Sequence, residues 1–215
     1  MPEPMTQHEF QRQLRNLFAM LRTLVRQTTE GRISVEDYAA HLEGRIGALA
    51  RVHELLMRAP QEGADLHELV SGELLAQAIA EDRFHLRGSE VRIASESVVA
   101  LALTFHELTV NALTHGAFST TAGRAEISWR IESEMSQPWL HFEWQELGVP
   151  LKKSPWDTKG FGSEVLERML PYELNARTSC GATDEGIRVI LRIPASAVGA
   201  IWRPLALKRV SGSGV

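Results

Sequence analysis

The sequence predicts an α+β protein. An N-terminal antiparallel helical hairpin, forming a four-helix bundle on dimerisation, precedes an α/β sandwich with its helices on one face of a sheet. Three observations carry this. Two apolar stripes of helical spacing fill the first sixty residues, split by Gly31. One long stretch, residues 95–119, is apolar on most faces and reads as a buried helix. Segments alternating apolar with polar residues follow it, as half-buried strands do.

In the first helix Phe10, Leu14, Leu17, Leu21 and Leu24 form the stripe, and Phe18, Met20 and Val25 add a second apolar flank. Ser34 and Asp37 resemble a capping box that opens a second helix. Its expected face is Tyr38, Leu42, Ile46, Leu49, Val52 and Leu56, ending before Pro60. Two helices alone cannot bury both flanks. Dimerisation through residues 5–58 is the simplest solution, and packing against the rest of the chain is the alternative. The division expected is 1–60 for this hairpin, 61–200 for the sandwich and 201–215 for a tail.

Asp65 is expected to cap a shorter helix reaching Ala80. Phe84–Arg87 and Val91–Ile93 read as a hairpin around Gly88, and Ser95 as the cap of the central helix. Strands are expected at Gly123–Glu132, Trp139–Leu147, Ala176–Thr183 and Gly186–Ile193, with a loop from Gly148 to Gly160 and a helix after it.

Composition narrows the function. The net charge of −4 gives no basic footprint, so nucleic acid is not suggested as a partner. The single cysteine, Cys180, excludes an internal disulfide and suits a reducing compartment. Val98–Phe105, the longest strongly apolar run, falls far short of the roughly 20 residues that span a bilayer. The N-terminus has no apolar signal core. The expectation is a cytoplasmic protein with no membrane partner.

The central helix carries the chemistry. His106, Glu107, Asn111 and His115 sit within it, and the last three are spaced by four, on one stripe. Buried polar groups must be satisfied by something. A core hydrogen-bond network is one answer; a stripe of three followed by Gly116 points instead to a ligand site.

Three motifs run in order: HELTVNALTHG at 106–116, WQELG at 144–148 and GFG at 160–162. Each alone is weak. Together they resemble the HWE-type histidine kinases, a group within the Bergerat-fold ATPases, whose name letters are met by His106, Trp144 and Glu146. RQLRN at 12–16 and RIGALARVHELL at 45–56 look like that family's dimerisation and phosphoacceptor region, so the resemblance extends from about Glu9 to Ile193.

The resemblance implies a Bergerat-type sandwich with a mixed sheet that binds ATP and Mg²⁺, with a response regulator or another signalling protein as partner. It implies Asn111 as the Mg²⁺ ligand, Glu107 as a carboxylate orienting metal-bound water or the nucleophile, and a catalytic contribution from His106. His115 falls near the ribose or phosphates, and Thr114 replaces a common lysine. Trp144 and Glu146 belong to the adenine end, Glu146 accepting from the base amino group, and Gly148 allows close backbone approach. Gly160, Phe161 and Gly162 match the turn whose backbone N–H groups cradle phosphate, and Lys152, Lys153 and Lys159 are the cations of the intervening lid.

One departure stands out. Arg12 occupies the acceptor-histidine position, and a guanidinium cannot act as a nucleophile toward phosphorus. His8, one turn earlier, is the available substitute. Two readings follow: a kinase homologue that binds Mg·ATP in two-component phosphosignalling, or a degenerate dimeric adaptor or phosphotransferase-like protein.

Overall fold

The computed structural model describes residues 34–58, 63–134, 136–149 and 161–202. The first predicted helix with His8 and Arg12, most of the lid with Gly160, and the last thirteen residues lie outside them.

Helix α1 spans Val35–Arg58. Its start is the expected capping box: Asp37 N donates to Ser34 Oγ at 3.0 Å, and Ser34 Oγ donates to Asp37 Oδ2 at 2.9 Å. Leu49 and Val52 of the expected face are buried, and Leu42 and Leu56 pack partly buried against the core, but the face is rotated at its middle. Arg45, Ala48, Leu49 and Val52 point inward, whereas Ile46 is 44% exposed. The cause is a close approach at Gly44, where a Cβ would lie 2.9 Å from the His106 ring. That contact turns the helix so that Arg45, not Ile46, faces the core.

Two short strands, β1 (Ala64–Asp65) and β3 (Val91–Ile93), pair antiparallel. Helix α2 (Leu66–Ala76) lies between them in the chain, and Asp65 caps it by accepting from His67 N and Glu68 N. Strand β2 (Phe84–Gly88) does not form a hairpin with β3, contrary to expectation, but joins the larger sheet. Trp129 explains this. Its ring fills the space beside Gly88, where a Cβ would meet it at 2.1 Å, and its Nε1 donates to Ser89 O at 2.8 Å. The chain is thereby pinned to the large sheet just before it leaves for the small one.

Helix α3 (Ser95–Thr114) is the central element. Its N-cap is Ala94, with no side-chain cap, so Ser95 is the first helical residue and not the cap. The start is instead tied to the chain after the last long strand: Ala94 N donates to Val198 O, and Ser97 Oγ to Ala197 O at 3.0 Å. Among the described residues this helix and its extension to Ser119 are long and apolar enough to cross a membrane, yet 72% of the apolar window is buried inside the protein. It is a core helix.

Strands β4 (Arg124–Glu134) and β5 (Gln137–Leu147) form a long hairpin. Helix α4 follows in three contiguous segments: Phe161–Glu164, a π turn at Val165–Met169, and Leu170–Leu174. Pro171 has no N–H for the regular ladder, and the wider turn before it accommodates the ring. Strands β6 (Arg177–Thr183) and β7 (Gly186–Pro194) close the sheet. Ile201–Trp202 forms β8, which pairs with β3, so these two residues of the expected tail belong to the small sheet.

The large sheet has the order β2-β4-β5-β7-β6, with β2 parallel to β4 and every other pair antiparallel. It is the expected mixed sheet. Ile127, Phe142, Trp144, Val189 and Leu191 project from its inner face, and Val98, Leu101, Phe105 and Leu108 of α3 are buried in the same core. The outer face is charged, with pairs such as Arg188–Glu143 at 2.7 Å.

Candidate functional site

The end of β5 meets the chain just past the C-terminal end of α3, through Glu146 and Ala117, and the start of α4 packs along the same helix. Trp144 and Glu146 are two apart on β5 and so share its inner face. Glu146 is 1% exposed. Its Oε2 accepts from Ala117 N at 2.7 Å, and its Oε1 accepts from Trp144 Nε1 at 3.2 Å. Burial pushes its carboxyl up to about 7, against the opposing pull of those two hydrogen bonds. Gly148, just beyond, has φ +75°, a left-handed conformation that suits glycine.

Asn111 lies half-buried on the last turn of α3, and its side-chain amide has no hydrogen-bond partner among the described residues. Its oxygen is therefore available, and one such oxygen fits Mg²⁺, which takes few protein ligands and keeps water and phosphate for the rest. No cluster of three His, Cys, Asp or Glu side chains suited to a metal occurs among the described residues. His115 and Thr114 are exposed; Thr114 Oγ1 donates to Val110 O at 2.8 Å. Phe161 and Gly162 are buried at the start of α4, which touches α3.

His106 and Glu107 face elsewhere. His106 Nδ1 lies 2.7 Å from Glu73 Oε1 of α2, and Glu73 also takes a hydrogen bond from Arg51 of α1. Burial alone would raise the Glu73 carboxyl, but the hydrogen bonds from His106 and Arg51 outweigh it and hold it low. Glu107 Oε1 accepts from Arg45 Nε at 2.8 Å, a pair buried on both sides. For these two residues the core network is what forms; Asn111 is left out of it.

Arg45 and Glu73 were not singled out in the sequence. Arg45 could have been found: Leu42, Arg45, Leu49, Val52 and Leu56 follow a 3-4-3-4 spacing without a break. Glu73 carries no such signal, because its partner is 33 residues away.

A family model described as HWE histidine kinase matches residues 9–90. A blue-light-activated histidine kinase of Rhizobium johnstonii is 31% identical over 182 residues, covering 85% of this chain and 51% of that protein. The chain belongs to the HWE-type histidine kinase family. A Brucella ovis protein of the same description is 26% identical over 187 residues, covering 86% of the chain and 38% of its own length. The chain thus spans about half or less of these HWE relatives. Among solved structures, the Erythrobacter litoralis EL346 blue-light activated histidine kinase matches with a TM-score of 0.65 and 20% identity, over 91% of this chain and 62% of that one. The histidine kinase domain of the same protein matches with a TM-score of 0.56 and 19% identity, over 87% and 89%. These two likenesses establish a shared fold.

Proposed function

We propose that this chain binds Mg·ATP between the end of α3, the Glu146 end of β5 and the start of α4, and serves two-component phosphosignalling with a response regulator as partner. The observation that carries the proposal is Asn111. It is a half-buried amide without a hydrogen-bond partner among the described residues, on the last helical turn before Ala117, which holds the Glu146 carboxylate. Glu146 uses one direction of each oxygen on Ala117 N and Trp144 Nε1, and a carboxylate has lone pairs left to accept from a base amino group. The first N–H groups of α4 have no intrahelical acceptor and would hold phosphate. Asn111 would hold Mg²⁺, which when bound neutralises phosphate charge. Family membership supports the same reading.

A second reading rests on one implication of the resemblance and one contact. The family resemblance puts Arg12, which cannot act as the nucleophile, at the acceptor position, and Glu107 is paired with Arg45 in the core. In that reading the chain binds nucleotide and acts as a dimeric regulator through residues 5–58. Calorimetry with Mg·ADP tests the binding that both share. Wild type should bind in a magnesium-dependent way and Asn111→Ala should bind substantially less; no binding by wild type would overturn the proposal.

A further inference from the structure

We infer that Arg45 is a positioning residue of the nucleotide site, and that through it nucleotide binding and the docking of α1 on the sandwich are linked. The inference rests on the nucleotide reading above. Arg45 is 3% exposed, yet it belongs to α1, outside all three motifs. Its Nε donates to Glu107 Oε1 at 2.8 Å, and Nη2 lies 3.4 Å from Glu107 Oε2, so the fork grips both carboxylate oxygens. Its guanidinium carbon stands 3.6 Å from the centroid of the Phe161 ring. One side chain thus touches α3 at the residue after His106 and α4 at its first residue.

The geometry has a consequence for phosphate binding. Phe161 is followed by Gly162, which imposes little conformation of its own. The backbone N–H groups meant for phosphate belong to this turn, so whatever fixes the Phe161 ring fixes them. A planar, weakly hydrated guanidinium stacked on the ring does this, and a lysine ammonium would not. A turn held ready binds its ligand more tightly than one that must be ordered first.

Docking of α1 is a discrete arrangement, because it depends on polar pairs that are buried or partly buried. Besides Arg45, Gly44 sits against the His106 ring, and Arg51 reaches Glu73, which holds His106. Undocking would leave Glu107, Glu73 and the Phe161 ring without these partners. If nucleotide favours the ordered turn, it favours docked α1 by the same factor.

Hydrogen exchange and calorimetry on the full chain, with Mg·ADP as probe, test this. In wild type, Mg·ADP should slow amide exchange in residues 42–52 of α1. Arg45→Met, which keeps the bulk without the charge, should weaken Mg·ADP binding roughly tenfold and abolish the nucleotide-dependent change in α1. Arg45→Lys should fall between, since it restores charge and not the stack. A contact serving stability alone would lower the melting temperature and leave affinity and the α1 response untouched, which would overturn the inference. If Arg45→Met does not fold, the wild-type exchange decides: nucleotide bound with no change in α1 sinks this inference alone. Failure of wild type to bind Mg·ADP removes the nucleotide reading and this inference with it.

Discussion

Gly116 and Glu146 are too close for any side chain to come between them: a Cβ on Gly116 would lie 1.8 Å from Glu146 Oε2. The glycine is needed for space, since its φ of −113° is open to every residue. Gly116→Ala must therefore expel the carboxylate from Ala117 N, leaving a buried donor unpaired at a cost of roughly 1–3 kcal/mol. Urea denaturation should show that loss, and Mg·ADP affinity should fall with it. A variant as stable as wild type would mean that the carboxylate has another resting place.

Glu146 should also set a pH dependence of stability. Its carboxyl is raised from 4.5 to about 7 in the folded protein, so the folded state holds the proton more tightly than the unfolded one. Between those values the folded chain binds more protons, and stability falls as pH rises. At 1.36 kcal/mol per pKa unit the effect is at most about 3 kcal/mol, present in full below pH 4.5 and gone above about 7. Glu146→Gln should lack this component. Thermal melts of the two proteins across that window would show parallel curves if the burial argument is wrong.

Glu107 is expected to matter for folding before it matters for chemistry. Glu107→Ala removes the carboxylate that Nε and Nη2 of the buried Arg45 both reach, and breaking a buried pair typically costs about 3–5 kcal/mol. Replacing both as Arg45→Met with Glu107→Leu should recover most of that loss, because no buried charge remains. Denaturant midpoints for the single and double variants measure the coupling. Additive losses would place the stabilisation in packing and not in the ion pair.

How far these features were legible depends on the range of the interaction. The capping groups Ser34, Asp37 and Asp65 act within three residues, and their helices begin where the sequence puts them. The alternation in β4, β5 and β7 marks inward positions such as Trp144 and Glu146, because a pleat fixes side-chain direction locally. Sheet partners were not legible in the same way. Strand β2 joins β4 because Trp129 fills the gap over Gly88, 41 positions apart, and no local pattern encodes that. The polar stripe of α3 was visible as a stripe, but not its division. Glu107 finds its partner 62 residues away and His106 finds one 33 away, while Asn111 finds none among the described residues.

The last prediction concerns the nucleophile. Phosphoryl transfer relies on placing a nucleophile in line with the γ-phosphate and on neutralising charge. Arg12 holds the position where the family resemblance puts the acceptor histidine, and it stays protonated at any working pH. Incubation of wild type with γ-labelled ATP should therefore leave no acid-labile, base-stable label. Arg12→His supplies an imidazole at that position and should acquire such label. Adding Arg45→Met is not expected to help, since on the inference above it would loosen the turn at Phe161. Label on wild type that disappears in His8→Ala would show that His8 is the acceptor and that the helix register is one turn off. Absence of label from both wild type and Arg12→His, in protein that binds Mg·ADP, would move the defect to the phosphate contacts, where Thr114 stands in place of lysine with its hydroxyl turned back onto Val110 O.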